Sequence, residues 1–341
     1  MKRFFALLVA AALLTAGCSK NVPKAPYAKG TEPYKFFRTL SDSLKITQLN
    51  PDKPVLLITT KQFKVYSYDI LPSIYARFNR YRNNLGRLPV EQFKNSIKEA
   101  AEGEAEKRLL LEEAKNKGIA ASDSVVNEEL EQIYSRRGGK ENFQKFIEQQ
   151  GLTIEFVEQD IRNQLTIQKF LEEVLEPQVQ VTDADLQEAY SQDKLATVRH
   201  ILFLTQGKNE AEKAEIKAKA EQVLARARSG EDFAALAKEF SEDPGSKDKG
   251  GIYERFPRGR MVKPFEDAAF NLPIGSISDL VETPYGYHII KVESREKETL
   301  PLEEVRDQLT RTVERTKRRD IYNQFIEDLK KKAEFKVVEL S

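Results

Sequence analysis

Arg199-His200-Ile201-Leu202 and Tyr285-Gly286-Tyr287-His288-Ile289-Ile290 carry the only two histidines of the chain. Each lies in a short apolar run of strand character, and the two runs bracket a segment, residues 195–294, whose texture differs from its surroundings. Val198 to Leu204 predicts a strand, Asn209 to Arg228 a helix stopped by Gly230, and Asp232 to Phe240 a helix with Phe233, Leu236 and Phe240 on one face. Gly250-Gly251 turns the chain into Ile252 to Phe256, Pro264 to Phe270 makes a short helix, and Tyr287 to Val292 closes with a strand. Strands alternating with two or three helices and turn-rich loops give an α+β domain.

Outward from that domain the pattern is helical. Pro54 to Tyr68 predicts a short hairpin. Helices follow over Asp69 to Leu85, Pro89 to Gly118, Ser122 to Arg137, a short one with Phe143, Phe146 and Ile147, and Thr153 to Leu175, with glycines or Pro177 at their ends. Thr182, Asp183 and Asp185 open another short helix. On the far side Leu302, Val305, Leu309, Val313, Ile321, Phe325 and Leu329 recur at helical spacing to about Lys332. Phe335 to Val338 adds a strand. The last helix has an apolar stripe and follows a finished domain, so its expected partner is the helical region before residue 190. One discontinuous helical domain, 54–194 with 295–341, would then host the α+β domain as an insertion, which is tolerated where its ends lie close together.

The chain has 341 residues, 40% hydrophobic and 32% charged, with 55 basic and 54 acidic side chains. Such balance gives no electrostatic case for nucleic acid. The start is different: Lys2 and Arg3 precede an apolar run from Phe4 to Leu14 and the small residues Thr15, Ala16 and Gly17. That run is too short for a membrane span, which needs roughly 20 residues, and has the form of an export signal over 1–17. Leu14-Thr15-Ala16-Gly17-Cys18 resembles the bacterial lipobox, with Thr15 where an aliphatic residue is usual. The resemblance implies cleavage before Cys18 and its acylation. Cys18 is the only cysteine, so no disulfide can form. Ser19 after it points, by analogy with enterobacterial sorting, to the outer membrane of a bacterial envelope. Residues 18–53, with several Pro, Lys and Ser, are expected to form a flexible tether.

The two histidine segments resemble the first and last strands of the parvulin, PpiC-type, rotamase domain. Phe240-Ser241-Glu242-Asp243 resembles that family's segment beside the reacting amide. Phe256-x-Arg-Gly-x-Met261-x-x-x-Phe265-Glu266-x-Ala-Phe270 resembles its proline-pocket segment. The resemblance implies an antiparallel four-stranded sheet with surrounding helices, His200, Asp243 and His288 as the catalytic group, and Met261, Phe265, Phe256, Tyr253 and Tyr285 as substrate-binding residues. Tyr253 falls where a smaller aliphatic residue often stands, and Tyr285 where some members carry a hydroxyl residue. Leu204-Thr205-Gln206-Gly207 replaces the basic pair of phosphate-directed members, so a phosphoserine-proline preference is not expected. More weakly, Gln150-Gly151-Leu152-Thr153, Asp160-Ile161-Arg162-x-Gln164-Leu165 and Val181-Thr182-Asp183 resemble the chaperone region of SurA- and PrsA-type foldases.

The implied activity is isomerisation of X-Pro bonds in unfolded exported polypeptides, and it needs neither cofactor nor metal. The amide barrier is roughly 18–20 kcal/mol. Stabilising the twisted amide in an apolar socket beside a polar cluster lowers it without covalent change. A core histidine pair, a structural turn at Asp243 and a non-catalytic holdase or outer-membrane assembly factor are the competing readings.

Overall fold

A computed structural model describes residues 23–82 and 90–338. The export signal and Cys18 lie outside the described residues. The chain divides into two units: one runs to Val179 and resumes at Lys317, and the other covers Gln180–Thr316.

The first unit begins with helix α1 (Glu32–Leu44), followed by strands β1 (Leu56–Thr59) and β2 (Lys64–Tyr66) and helices α2 (Ser67–Phe78), α3 (Val90–Asn116), α4 (Asp123–Arg136), α5 (Lys140–Gln149) and α6 (Ile154–Phe170). To these it adds the second half of α11 (Leu302–Lys332) and strand β7 (Lys336–Val337). Its three-stranded sheet has the order β2-β1-β7, so the end of the chain pairs with a strand near its start, Val337 opposite Ile58. Ile326 and Leu329 of α11 pack with Leu109 and Leu110 of α3 and Phe170 of α6.

The tether expected over 18–53 fails from Pro23 on. Thr31 accepts a hydrogen bond from Tyr34 N–H and Pro33 sits in the first turn, a capped helix start. The face of α1 that follows buries Phe36, Phe37 and Leu40 among Tyr27, Leu71 and Tyr75. The polar flanks that suggest a linker are therefore the solvent side and ends of an amphipathic helix.

A buried charged group joins three helices of this unit. Arg108 lies 2.7 Å from Glu104 and 2.9 Å from Asp69, and donates to Lys64 O at 3.0 Å. Lys107 bridges Glu104 at 2.7 Å and Asp160 at 3.6 Å, and Asp160 also accepts from Gln164 at 2.6 Å. Asp69 further accepts from Tyr66 N–H at 2.7 Å. Burial pushes the Asp69 and Asp160 carboxyls above their ordinary value, against the pull of Arg108 and Lys107.

The second unit contains α7 (Asp183–Ser191), β3 (Asp193–Leu204), α8 (Glu210–Arg228), α9 (Phe233–Phe240), β4 (Ile252–Pro257), α10 (Lys263–Asn271), β5 (Val281–Thr283), β6 (Gly286–Lys297) and the first half of α11. Its antiparallel sheet has the order β4-β3-β6-β5. The unit is wider than residues 195–294, because Arg306 pairs with Asp183 and Tyr190 OH donates to Leu300 O at 3.0 Å. One sheet face packs Ile201, Phe203 and Ile289 on α8 and α9. The other packs Val198 and Ile290 with Phe256, Phe265 and Phe270.

Candidate active site

All four strands of the second unit place a side chain on the same sheet face. In the β3–β6 register His200 is opposite Ile290 and His288 opposite Leu202, so the histidines are diagonal neighbours. Tyr253, opposite Val198, is diagonal to His200 from β4, and Thr283, opposite Gly286, is diagonal to His288 from β5. Two glycines allow the backbone to close around this row. A Cβ on Gly251, at φ +75°, would stand 2.2 Å from His200 O, and one on Gly286 would stand 2.0 Å from Phe203 O.

The polar groups form one continuous network. His200 Nδ1 is 3.3 Å from His288 Nδ1, and His200 Nε2 is 3.0 Å from Asp243 Oδ2 and 2.8 Å from Ser246 Oγ. Thr283 Oγ1 is 2.9 Å from His288 Nε2 and accepts from Tyr285 N–H at 3.1 Å. Asp243 also accepts from Tyr253 OH at 2.9 Å, from Gly245 N–H at 3.2 Å and from the Ser246 hydroxyl. One proton assignment satisfies every member. His200 carries its proton on Nε2 for Asp243, His288 donates from Nδ1 to His200, and Thr283 donates to His288 Nε2.

Three donors converge on Asp243 Oδ2 and one reaches Oδ1, so the oxygen that faces His200 has no acceptor capacity left for a substrate proton. The His200 hydrogen bond first, then those of Ser246, Gly245 and Tyr253, hold its carboxyl well below the usual range. His288 is 5% exposed, and burial, with His200 beside it, depresses it to about 3. At neutral pH it is an uncharged imidazole. Burial and then the Asp243 carboxylate push the Tyr253 phenol up to about 12.

The apolar side of the site is aromatic. Phe265 stands edge-on to both imidazoles, 5.4 Å from each ring centre, and Phe256 packs 6.1 Å from Phe265 and 5.8 Å from Phe270. Met261 is partly buried against the same cluster. Tyr253 stacks on His200 at 5.0 Å while its hydroxyl reaches Asp243, so it belongs to the polar network as much as to the socket. The structure thus brings together His200, Asp243, His288, Tyr253, Phe256, Met261 and Phe265. Tyr285 stands apart: its ring is exposed at the β5–β6 turn, and its backbone N–H is what joins the network. Ser246 and Thr283 are absent from the sequence-based set. The Asp243-Pro244-Gly245-Ser246 turn and the Thr283-Pro284 step were their only signals, and neutral hydroxyls there read as turn chemistry. Among the described residues no cluster of three His, Cys, Asp or Glu could hold a metal ion.

Residues 185–296 match the PPIC-type PPIASE domain and residues 61–171 the SurA-like N-terminal domain. Foldase protein PrsA 4 of Bacillus cereus is 34% identical over 74% of this chain and 83% of its own length. Foldase protein PrsA of a Geobacillus species is 34% identical over 68% of this chain and 77% of its own. The crystal structure of the peptidylprolyl isomerase PrsA from Bacillus anthracis, 29% identical, covers 69% of this chain and 97% of that one with a TM-score of 0.43.

Proposed function

This chain belongs to the PrsA family of foldases and is a parvulin-type peptidyl-prolyl cis/trans isomerase; we propose that the network on β3–β6 and the aromatic socket beside it are its active site, with the unit Gln180–Thr316 as the catalytic part and the helical first unit as the client-holding part. The proline ring would seat between Met261, Phe265 and Phe256. His200 and His288 would present their imidazole edges to the twisted amide, and Asp243 would act through His200 by fixing its tautomer. The single observation that carries this reading is the hydrogen-bonded His200–His288 pair held edge-on to the buried Phe265 ring. Stabilising the twisted geometry in such a site requires no nucleophile and no proton transfer.

A proline-limited refolding assay and a short prolyl peptide test the assignment. Met261→Ala or Phe265→Ala should raise the barrier that kcat/KM reports by about 2–5 kcal/mol, because the socket loses the wall atoms that the ring packs against. Full activity in the double variant would remove the assignment. The substrates are polypeptides containing X-Pro bonds.

Residues 1–17 support export, and the lipobox supports acylation of Cys18, so the protein would work in the cell envelope on a lipid anchor. Ser19 favours the outer membrane. No helix among the described residues is long and apolar enough to cross a bilayer. Cys18→Ala should abolish palmitate incorporation; unchanged labelling would end the anchor reading.

A further inference from the structure

We infer that Ser246 is a positioning residue of the isomerase, whose hydroxyl is the direct partner of His200 and carries the hold of Asp243 to that imidazole; this deepens the site assignment above and rests on it. Ser246 is 1% exposed and lies on the segment between α9 and β4. Its carbonyl accepts from Lys249 N–H at 3.0 Å and from Gly251 N–H at 2.9 Å. Gly251 O accepts from His200 N–H at 2.8 Å, so main-chain bonds join the turn that bears the hydroxyl to the strand that bears the imidazole. These bonds do not involve the serine side chain, and the turn keeps them without it.

Asp243 Oδ2 is crowded. His200, Ser246 and Tyr253 all reach it, whereas one carboxylate oxygen offers about two lone-pair sites. The Ser246 hydroxyl gives its proton to that oxygen and keeps its own lone pairs for a donor. His200 Nε2 faces them, 2.8 Å from Ser246 Oγ against 3.0 Å from Asp243 Oδ2. Donation therefore runs from Thr283 to His288, His200, Ser246 and Asp243 in turn. With its Nε2 proton committed to Ser246, His200 can only accept at Nδ1, 3.3 Å from His288 Nδ1. Without the hydroxyl, the Nε2 proton competes with Tyr253 for a single oxygen, and the tautomer of both imidazoles is held less firmly.

The test compares the full chain with its Ser246→Ala, Ser246→Cys, Asp243→Ala and Ser246→Ala/Asp243→Ala variants, by turnover of a short prolyl peptide and by nitrogen NMR of the His200 ring. Ser246→Ala should lower kcat about ten-fold, the worth of one hydrogen bond, with KM staying within about two-fold. The two ring-nitrogen shifts of His200 should draw together as its tautomers mix. Ser246→Cys, which keeps a weaker donor, should fall between parent and Ser246→Ala on both readouts. The double variant should be no slower than Asp243→Ala alone. An unchanged kcat in Ser246→Ala, or a lower kcat with unmoved His200 shifts, would overturn the inference. So would losses that multiply in the double variant, because Ser246 would then act apart from Asp243. Full activity in both Asp243→Ala and Phe265→Ala would instead remove the site assignment itself.

Discussion

Two polar networks are buried in this chain, and they are built on opposite plans. The group around Arg108 gathers three carboxylates and two cations, so its members meet as ions inside a helical unit. The group around His200 gathers hydroxyl, amide and imidazole partners about a single carboxylate, Asp243, and ends in His288 and a threonine hydroxyl. The first resists change, because removing any member strands a buried charge. The second places the uncharged His288 imidazole beside an aromatic cluster, where on the reading proposed above a full charge would bind water and oppose entry of a proline ring. Burial alone therefore does not mark a functional site. What distinguishes the second network is that its one carboxylate is held by partners from within the unit while its outermost groups, His288 and Thr283, are uncharged.

Arg108→Ala should produce the largest effect. It leaves Asp69 and Glu104 without their shared partner and should cost about 3–5 kcal/mol in the first unit. Chemical denaturation followed by hydrogen exchange in α3 measures it. Isomerase activity on a short peptide should be unchanged, and parallel loss of that activity would break the comparison.

Acid should separate the networks in sign. The folded value of His288, about 3, lies below its ordinary 6.5, so the unfolded chain binds the extra proton and the second unit loses stability as pH falls through that window. For Asp69 and Asp160 the folded values lie above the ordinary 3.8, so their contribution is present below 3.8 and lost as pH rises through the raised values. Between neutral pH and pH 4 the second unit should lose on the order of 2–3 kcal/mol from this source. Imidazole proton resonances and activity would report it. Loosening of both units at one pH would contradict it.

Thr283→Val keeps shape and removes the donor to His288 Nε2 and the acceptor for Tyr285 N–H. About 2 kcal/mol of stability should be lost, and kcat should fall more than KM rises because the tautomer is no longer fixed. A change confined to KM would mean that Thr283 touches substrate. Smallest is Tyr253→Phe, which keeps the ring on His200 and deletes one of four donors to Asp243. A loss of about 1 kcal/mol is expected, with little change in peptide KM. A large rise in KM would return Tyr253 to the socket alone.

The contrast also explains what could be read in advance. The histidine strands and the Phe256–Phe270 segment are legible because apolar alternation and an unusual residue pair are local signals. Ser246 and Thr283 are not, since a hydroxyl becomes part of the site only when the sheet register brings it there. Helix α1 was hidden because Phe36, Phe37 and Leu40 occupy a short amphipathic stretch flanked by Pro, Lys and Ser. The charged group escaped notice because Glu104 and Arg108, four apart, look the same on a solvated helix as on a buried one. Only the packing of α2 and α6 over α3 makes the distinction.

The pairing of Val337 with Ile58 also imposes a schedule. A chain is made from its N-terminus, so β1 must wait for nearly everything that follows before its second neighbour exists. For an exported chain the N-terminus also emerges first, so β1 keeps an open edge until the stretch beyond Val179 has crossed the membrane. Through that interval the open edge of β1 is free to pair with the wrong strand. The isomerase unit, whose strands all lie between the two halves, can finish first and be at work before its own scaffold is closed.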